Sequence, residues 1–349
     1  MTARVDPVAA WRRRSARRAL VLAAALAALV ALMLADLATG PSGMPLHEVL
    51  HALGAGPGGA DRAAATILFQ IRLPQALMGV IVGACLGLAG LLMQTMLANP
   101  LASPYTLGFS AAAGFGASLS ILGAGGAAFG LPLWLLTPLS AFLATLAATG
   151  LVATLAHLKG HRPEIMVLSG IAVLFLFQSL QSLVQFLSSP EVLQQIVFWL
   201  FGSLLKANWT SVGVSGAILL ACLPWITRDV WALTALRMGE ANAETLGLNL
   251  TALRRRTFLL TAALTAAAVS FTGTIGFVGL IAPHIARAMV GEDHRFALPA
   301  AALTGALILM AASVLGKLIS PGAALPVGIV TALAGVPMLI VVLWRYEES

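Results

Sequence analysis

The chain has 349 residues, of which 59% are hydrophobic and only 9% charged, with a mean hydropathy of +0.95. A water-soluble domain carries charge on roughly a quarter of its residues, so most of the outer surface of this chain must face lipid. The net charge of +7 would suit nucleic acid, but the basic residues sit at the ends of apolar runs, where lipid headgroups and insertion topology account for them.

Arg12, Arg13, Arg14, Arg17 and Arg18 precede the first apolar run, Ala19 to Ala35. A secretory signal peptide is one reading. No small-x-small cleavage site closes the run and more spans follow, which favours an uncleaved first helix. The arginines place the N-terminus in the cytoplasm, with residues 1–18 as a cytoplasmic arm. Thr39–Ile71 then reads as a periplasmic, Gly- and Pro-rich loop with short helical pieces.

From Arg72 to Lys159 no Asp, Glu, Lys or Arg intervenes. A crossing takes about 20 apolar residues, so this stretch holds about three. Further charge-free runs cover 165–190, 207–227, 257–286, 296–316 and 318–344. They are too long and unbroken for the alternating strands of a barrel, which leaves helices as the way to satisfy the backbone in lipid. The fold class is an all-α polytopic membrane protein, a single transmembrane domain over 1–349.

Ten crossings are expected, at 19–38, 73–97, 103–123, 132–157, 165–187, 210–228, 256–272, 276–290, 297–316 and 325–344; the eighth is short and interrupted by Pro283. On this threading the 20 lysines and arginines all fall on the cytoplasmic side except Arg62, Arg72, Lys206 and Lys317. A nine-span threading breaks that asymmetry. The protein is therefore expected in a bacterial inner membrane, multi-pass, with its N-terminus in the cytoplasm.

Between spans, Pro190, Glu191 and Val192–Leu205 read as a short amphipathic helix on the periplasmic surface. The cytoplasmic segment 228–256 carries Glu240, Glu244 and several arginines, with Leu236, Leu246, Leu248 and Leu250 as an apolar side. That combination suits a docking loop. Turns at Gly239 and Gly247 can end two small helices there.

No nucleophile–base order, metal-protease motif or phosphate-binding loop occurs, and no paired carboxylates lie within a span. Cys85 and Cys222 lie in apolar runs without metal-ligand spacing and read as packing residues. His284 sits inside a span, either as a functional ionisable group or as a cap where Pro283 kinks the helix. Gln94, a rare polar residue in the second span, could face a translocation path with Met93 and Met96, whereas methionines there also serve as core filler. Asn99-Pro100-Leu101 ends that span as a turn.

Several stretches in order, over roughly 66–345, resemble one family. They are Ile71-Arg72-Leu73-Pro74; Gly83 through Gly90 and Gln94; Asn99-Pro100-Leu101-Ala102-Ser103-Pro104 with Leu107-Gly108; Trp199-Leu200-Phe201-Gly202-Ser203-Leu204; Gly247-Leu248; Gly276 through Arg287 with Gly291, Asp293, His294 and Arg295; and Leu325-Pro326-Val327-Gly328 with Gly335-Val336-Pro337. Together these resemble the FecCD-type permeases, which include vitamin B12, haem and ferric-siderophore importers.

The resemblance implies a type II ABC importer permease fold. Its partners would be a second copy in a homodimer, two ATPase subunits and a periplasmic substrate-binding protein. ATP would be used by the partner, with no catalytic, cofactor or metal site on this chain. It assigns ATPase coupling to Arg237, Met238, Gly239, Glu240, Glu244 and Gly247, and an inner gate to Asn99, Pro100 and Leu101, with the turn Gly160–Glu164 as a weaker gate candidate. It assigns binding-protein docking to Arg72, with Gln75 where relatives often carry Arg and Lys317 beside the lost motif at Ala311–Gly316; the carboxylate expected before Leu325 is Ala324. Ferric siderophore or haem is the favoured cargo, with cobalamin ranked below. The rival reading is a stand-alone secondary transporter, against which no span carries Asp or Glu for ion coupling, Asp36 lying at the end of the first.

Overall fold

In hydrocarbon each backbone N–H and C=O must bond within its own segment, and the apolar runs of this chain accordingly fold as helices. The computed structural model describes residues 7–40, 43–59, 61–123, 132–159, 163–320 and 325–347. Helix α1 (Pro7–Ala38) includes Arg12–Arg18, so from Pro7 onward the expected arm is the first part of α1 itself. Proline is tolerated at a helix start, and nothing in the arginine stretch stops the helix.

Two short helices, α2 (Leu46–Ala55) and α3 (Arg62–Thr66), supply the helical pieces expected after the first span. The Asp61 carboxylate caps α3 by accepting from Ala63 N and Ala64 N, both at 3.0 Å. A π-helical stretch, Ile67–Arg72, then leads into α4 (Leu73–Met96). Pro74 has no N–H to give the preceding turn, and the backbone widens just ahead of it.

The remaining helices are α5 (Phe109–Gly123), α6 (Leu133–Leu158), α7 (Pro163–Phe186), α8 (Pro190–Leu200), α9 (Trp209–Arg228), α10 (Val230–Leu236), α11 (Glu240–Thr245), α12 (Leu250–Thr272), α13 (Val278–Val290), α14 (His294–Ile319) and α15 (Val327–Glu347). Each expected span falls on one of α1, α4, α5, α6, α7, α9, α12, α13, α14 and α15. Among the described residues, six helices are long and apolar enough to cross a membrane by themselves; α5, α13 and α15 contribute shorter apolar stretches. Helix α12 carries Arg254–Arg256 in its first two turns and is free of charge from Thr257 on.

Some ends shift for local reasons. Helix α5 starts at Phe109, later than expected, because Ser103 and Thr106 close a side-chain-bonded turn and Gly108 takes φ +81°. Helix α8 stops at Leu200, short of the expected Leu205. There Gly202, at φ +68°, lies so close to Thr274 O that a Cβ would collide with it.

Helix α4 is the central element. Gly83 and Gly87 let it approach the backbone of α14 at Ala301, Gly305 and Ala306, and Gly90 does the same against Gly279 of α13; a Cβ at any of the three would strike backbone atoms. Small residues are how helices come close in lipid, where no hydrophobic drive separates helix from solvent. Around this contact Val82, Leu86, Leu91, Leu264, Val278 and Leu309 form the main buried cluster. Met93, Met96, Phe109, Val152, Phe177 and Phe258 form a second one toward α5, α6 and α7.

Gly87→Val should therefore force α4 and α14 apart, at a cost of about 1–3 kcal/mol for overpacking. Gly213→Ala, where an added methyl meets nothing within 4 Å, serves as the control. Thermal unfolding of the detergent-purified protein should fall clearly for the first and not for the second. Equal midpoints would show that the close contact is not limiting.

Candidate functional site: the basic end of the bundle

Charged side chains gather at the end of the bundle that holds the start of α1. Arg18 faces Asp293 at 3.7 Å, and Arg295 bonds the same carboxylate at 2.6 Å while stacking on Trp231 at 4.6 Å. The Arg295 hydrogen bonds, ahead of any effect of Arg18, hold the Asp293 carboxyl below its usual range. Asp293 also caps α14, accepting from Arg295 N at 3.1 Å.

The segment expected to dock a partner projects from this end as two small helices. Helix α10 ends at Leu236, Gly239 takes φ +107° before α11, and Gly247 takes φ +77° after it. Both glycines adopt backbone that side-chain-bearing residues rarely reach. The two flanks of the segment are pinned together: Arg256 donates to both oxygens of buried Asp229, at 3.0 and 2.9 Å. Arg254 bonds Glu240, bracing α11 against α12.

Leu236 and Leu250 are buried and Leu248 is packed on the core, whereas Met238 and Leu246 are 60% and 64% exposed. The apolar side thus divides: its leucines at the flanks anchor the loop, and its tip presents Met238 and Leu246. Glu244 is exposed beside them. Arg237 pairs with Glu292 at 2.8 Å.

Asn99, Pro100 and Leu101 come after α4 as a turn. The Asn99 side chain accepts from Leu101 N at 2.9 Å, Ala98 takes φ +46°, and Leu101 is exposed. Of the weaker candidate turn, Gly160–Arg162 lies outside the described residues, as does Ala324.

The residues expected along a path sit elsewhere. Met93 and Gln94 are fully buried inside the protein in this conformation. Met93 belongs to the second core cluster, while Gln94 Nε2 donates to Leu280 O at 3.2 Å and its Oε1 accepts from Arg287. A buried amide must have its bonds met, and Arg287 meets this one. An open apolar groove of about 520 Å³ lies instead between the α4–α5 turn, the end of α8, α13 and α15, with Tyr105, Phe201, Phe277 and Leu333 in its wall. His284 Nδ1 lies 2.8 Å from Leu280 O, one turn back on its own helix.

The residues expected to dock a binding protein also lie largely within the packing of the chain in this conformation. Arg72 and Gln75 are buried, and the Lys317 side chain is 10% exposed. Lys317 Nζ lies 2.7 Å from Asp36 Oδ2 and donates to Asp36 O at 3.1 Å; Ser313 Oγ donates to Asp36 Oδ1 at 2.6 Å. Arg72 donates to Leu37 O, and Gln75 Nε2 to Leu205 O at 3.2 Å. The last carbonyls of a helix lack partners and its C-terminus attracts cations. Arg72 and Lys317 answer that need at the end of α1, so they face inward rather than forming a rim.

Comparison with known proteins comes to the same kind of molecule. The model of the FecCD transport family matches residues 27–345. The Fe(3+) dicitrate transport system permease protein FecD of Escherichia coli is 38% identical, over 80% of this chain and 85% of that one. The hemin transport system permease protein HmuU of Yersinia pestis is 34% identical, over 81% and 84%. A solved structure described as a metal-chelate type ABC transporter in an inward-facing conformation superposes with a TM-score of 0.82 at 30% identity, covering 93% of this chain and 99% of that one.

Removing one partner of a buried ion pair costs about 3–5 kcal/mol, because the other charge is stranded. Lys317→Met and Asp36→Asn should each lower the unfolding midpoint sharply. The double variant should recover part of the loss, read by thermal unfolding in detergent. Additive losses would mean that the two groups do not depend on each other.

Proposed function

The chain belongs to the FecCD transport family, and from that premise we propose that it is the membrane subunit of a binding-protein-dependent ABC importer for a metal chelate. The observation that carries this reading is the braced loop. Asp229–Arg256 and Glu240–Arg254 hold α10 and α11 as one body with Met238 and Leu246 exposed at its tip. A loop that only connected two spans would gain nothing from being pinned at both flanks with apolar side chains turned outward.

The basic end lies in the cytoplasm under the positive-inside rule. Two ATPase subunits dock on the loops of two copies of the chain, and hydrolysis belongs to them. The groove beside Tyr105, Phe277 and Leu333 faces its twin, and the pair forms the path. It is apolar and without a strong ligand set, so a bulky chelate can leave it as well as enter. Asn99–Leu101 closes the cytoplasmic side.

A periplasmic binding protein seats on the opposite end, where Arg62 and Lys206 are exposed in place of the buried Arg72 and Lys317. Exposed ion pairs contribute only about 0–1 kcal/mol each, so a few suffice for a transient complex. ATP binding favours one arrangement of the loops and release the other, which alternates the open side by shifting populations. Ferric siderophore or haem is the preferred cargo class, above cobalamin; relatives named for Fe(3+) dicitrate and hemin are among those matched, as are relatives named for vitamin B12 import.

The test is the chain reconstituted in proteoliposomes with its cognate ATPase, native or with Glu240–Gly247 replaced by Gly/Ser. Binding protein loaded with ferric citrate, a ferric siderophore, haem or cobalamin should stimulate hydrolysis only with the native loop. The chelate that does so, and that accumulates, identifies the cargo. Failure of any ATPase to co-purify, with uptake following an ion gradient, would overturn the reading in favour of a secondary transporter.

A further inference from the structure

Two chains of contacts run from the projecting loop into the bundle, and both end on the last turn of α4. The first is ionic. Arg237, at the end of α10, bonds Glu292 Oε1 at 2.8 Å, and the same oxygen lies 3.8 Å from Arg287 Nε of α13. Arg287 Nη2 in turn donates to Gln94 Oε1. The second runs through hydroxyls: Thr234 Oγ1 of α10 accepts from His294 N at 3.3 Å, and His294 Nε2 lies 2.9 Å from Thr95 Oγ1. Gln94 and Thr95 are neighbours on α4.

Directly beyond these two residues the chain enters a strained turn. Asn99 N donates to Gln94 O at 3.1 Å, and Ala98 N to Thr95 O at 3.3 Å. Ala98 itself is held at φ +46°, a left-handed conformation that strains a residue with a side chain. The residues that receive the two chains are therefore the residues whose carbonyls hold Ala98 and Asn99 in place. Leu233 and Leu236 of α10 are buried in the main cluster with Leu91 and Leu92 of α4, so α10 and the end of α4 also move as packed neighbours.

We infer that Glu292 is a positioning residue of the import cycle, the shared ionic joint by which a displacement of α10 reaches the Asn99–Leu101 turn. This rests on the importer reading given above. Glu292 is suited to a joint rather than a rivet: its side chain is 52% exposed, so its two arginine contacts are individually weak and can be exchanged as the loop moves. Gln94, Thr95 and His294 are buried and form the fixed side of the same joint.

The experiment reads the turn directly. Cys85 and Cys222 are buried, so Leu101→Cys supplies an exposed thiol at the turn. Its reaction rate with a maleimide is measured in proteoliposomes containing the assembled chain and ATPase, without nucleotide and with ATP plus vanadate. On the otherwise native chain the two rates should differ by about fivefold or more, the usual scale of coupling between sites. Adding Glu292→Gln should remove most of that difference while the ATPase still co-purifies, and Glu292→Asp, which keeps the charge, should retain part of it. Arg237→Gln should act like Glu292→Gln by cutting the joint from its other side, which keeps the inference testable if one variant fails to assemble.

A purely structural role for Glu292 would change the rate without nucleotide and leave the response to nucleotide intact. That result, or a full response in Glu292→Gln, would overturn the inference. It is also overturned if the native chain shows no response while ATP drives uptake. Absence of any ATPase complex with the native chain would instead sink the importer reading.

Discussion

The close approach of α4 to α14 and α13 is the constraint on which the other features depend. Gly83 and Gly87 meet Gly305 and Ala301, and Gly90 meets Gly279. In lipid this contact is stabilised by dispersion and by the fit of small residues rather than by expulsion of water. It brings three helix backbones together without side chains between them, and that sets the depth at which every polar group on those helices lies relative to its partner. Gln94 can share Arg287 with Glu292 only because Gly90, one turn earlier on α4, lets α13 come so near.

At both ends of the bundle, charge is handled by the same logic with opposite results. At the basic end Arg18, Arg237, Arg256 and Arg295 are partly exposed, whereas Arg254 and Asp229 are buried and fix the flanks of the loop. The exposed pairs, Arg237–Glu292 among them, can be remade at little cost. At the other end Asp36, Lys317, Arg72 and Ser313 are withdrawn from solvent and close the C-terminus of α1. A buried pair of that kind cannot be opened cheaply. The structure thus has a tied end, where α1, α4 and α14 meet, and a more open end, where α10 packs on α4 and α14 and α11 on α12.

Much of the architecture was legible because hydropathy and charge act locally. The helices at the ten expected spans arise from apolar runs, and the two small helices of the loop are set by Gly239 and Gly247. What the sequence hid was pairing at long range. Arg72 and Lys317 looked like rim charges because nothing near them in the chain neutralises them; their site is built around Asp36 and Leu37. Gln94 was rightly singled out as unusual, yet whether a polar side chain in a span faces a path or the core depends on a residue such as Arg287, most of the chain away. The resemblance suggested docking roles for Arg72, Gln75 and Lys317, and the residues themselves a path role for Met93 and Gln94; in this conformation all five side chains pack inward. Glu292 and Asp229 drew no notice, since a single carboxylate among arginines reads as an ordinary solvated charge.

The division into a tied end and a more open end has a mechanical consequence. Motion applied at the loop therefore has two outlets, the last turn of α4 and the starts of α13 and α14. The clamp through Gly83, Gly87 and Gly90 resists sliding of α4 against its neighbours, and the Asp36 cluster resists it at the far end. Between these fixed contacts and the loop lies the turn after Met96, where Ala98 is strained and Leu101 is exposed. A strained segment between rigid ones is where a small push produces a local change of state rather than a general deformation. On the inference drawn above, the moving part is this turn, 98–101, positioned by the carbonyls of Gln94 and Thr95.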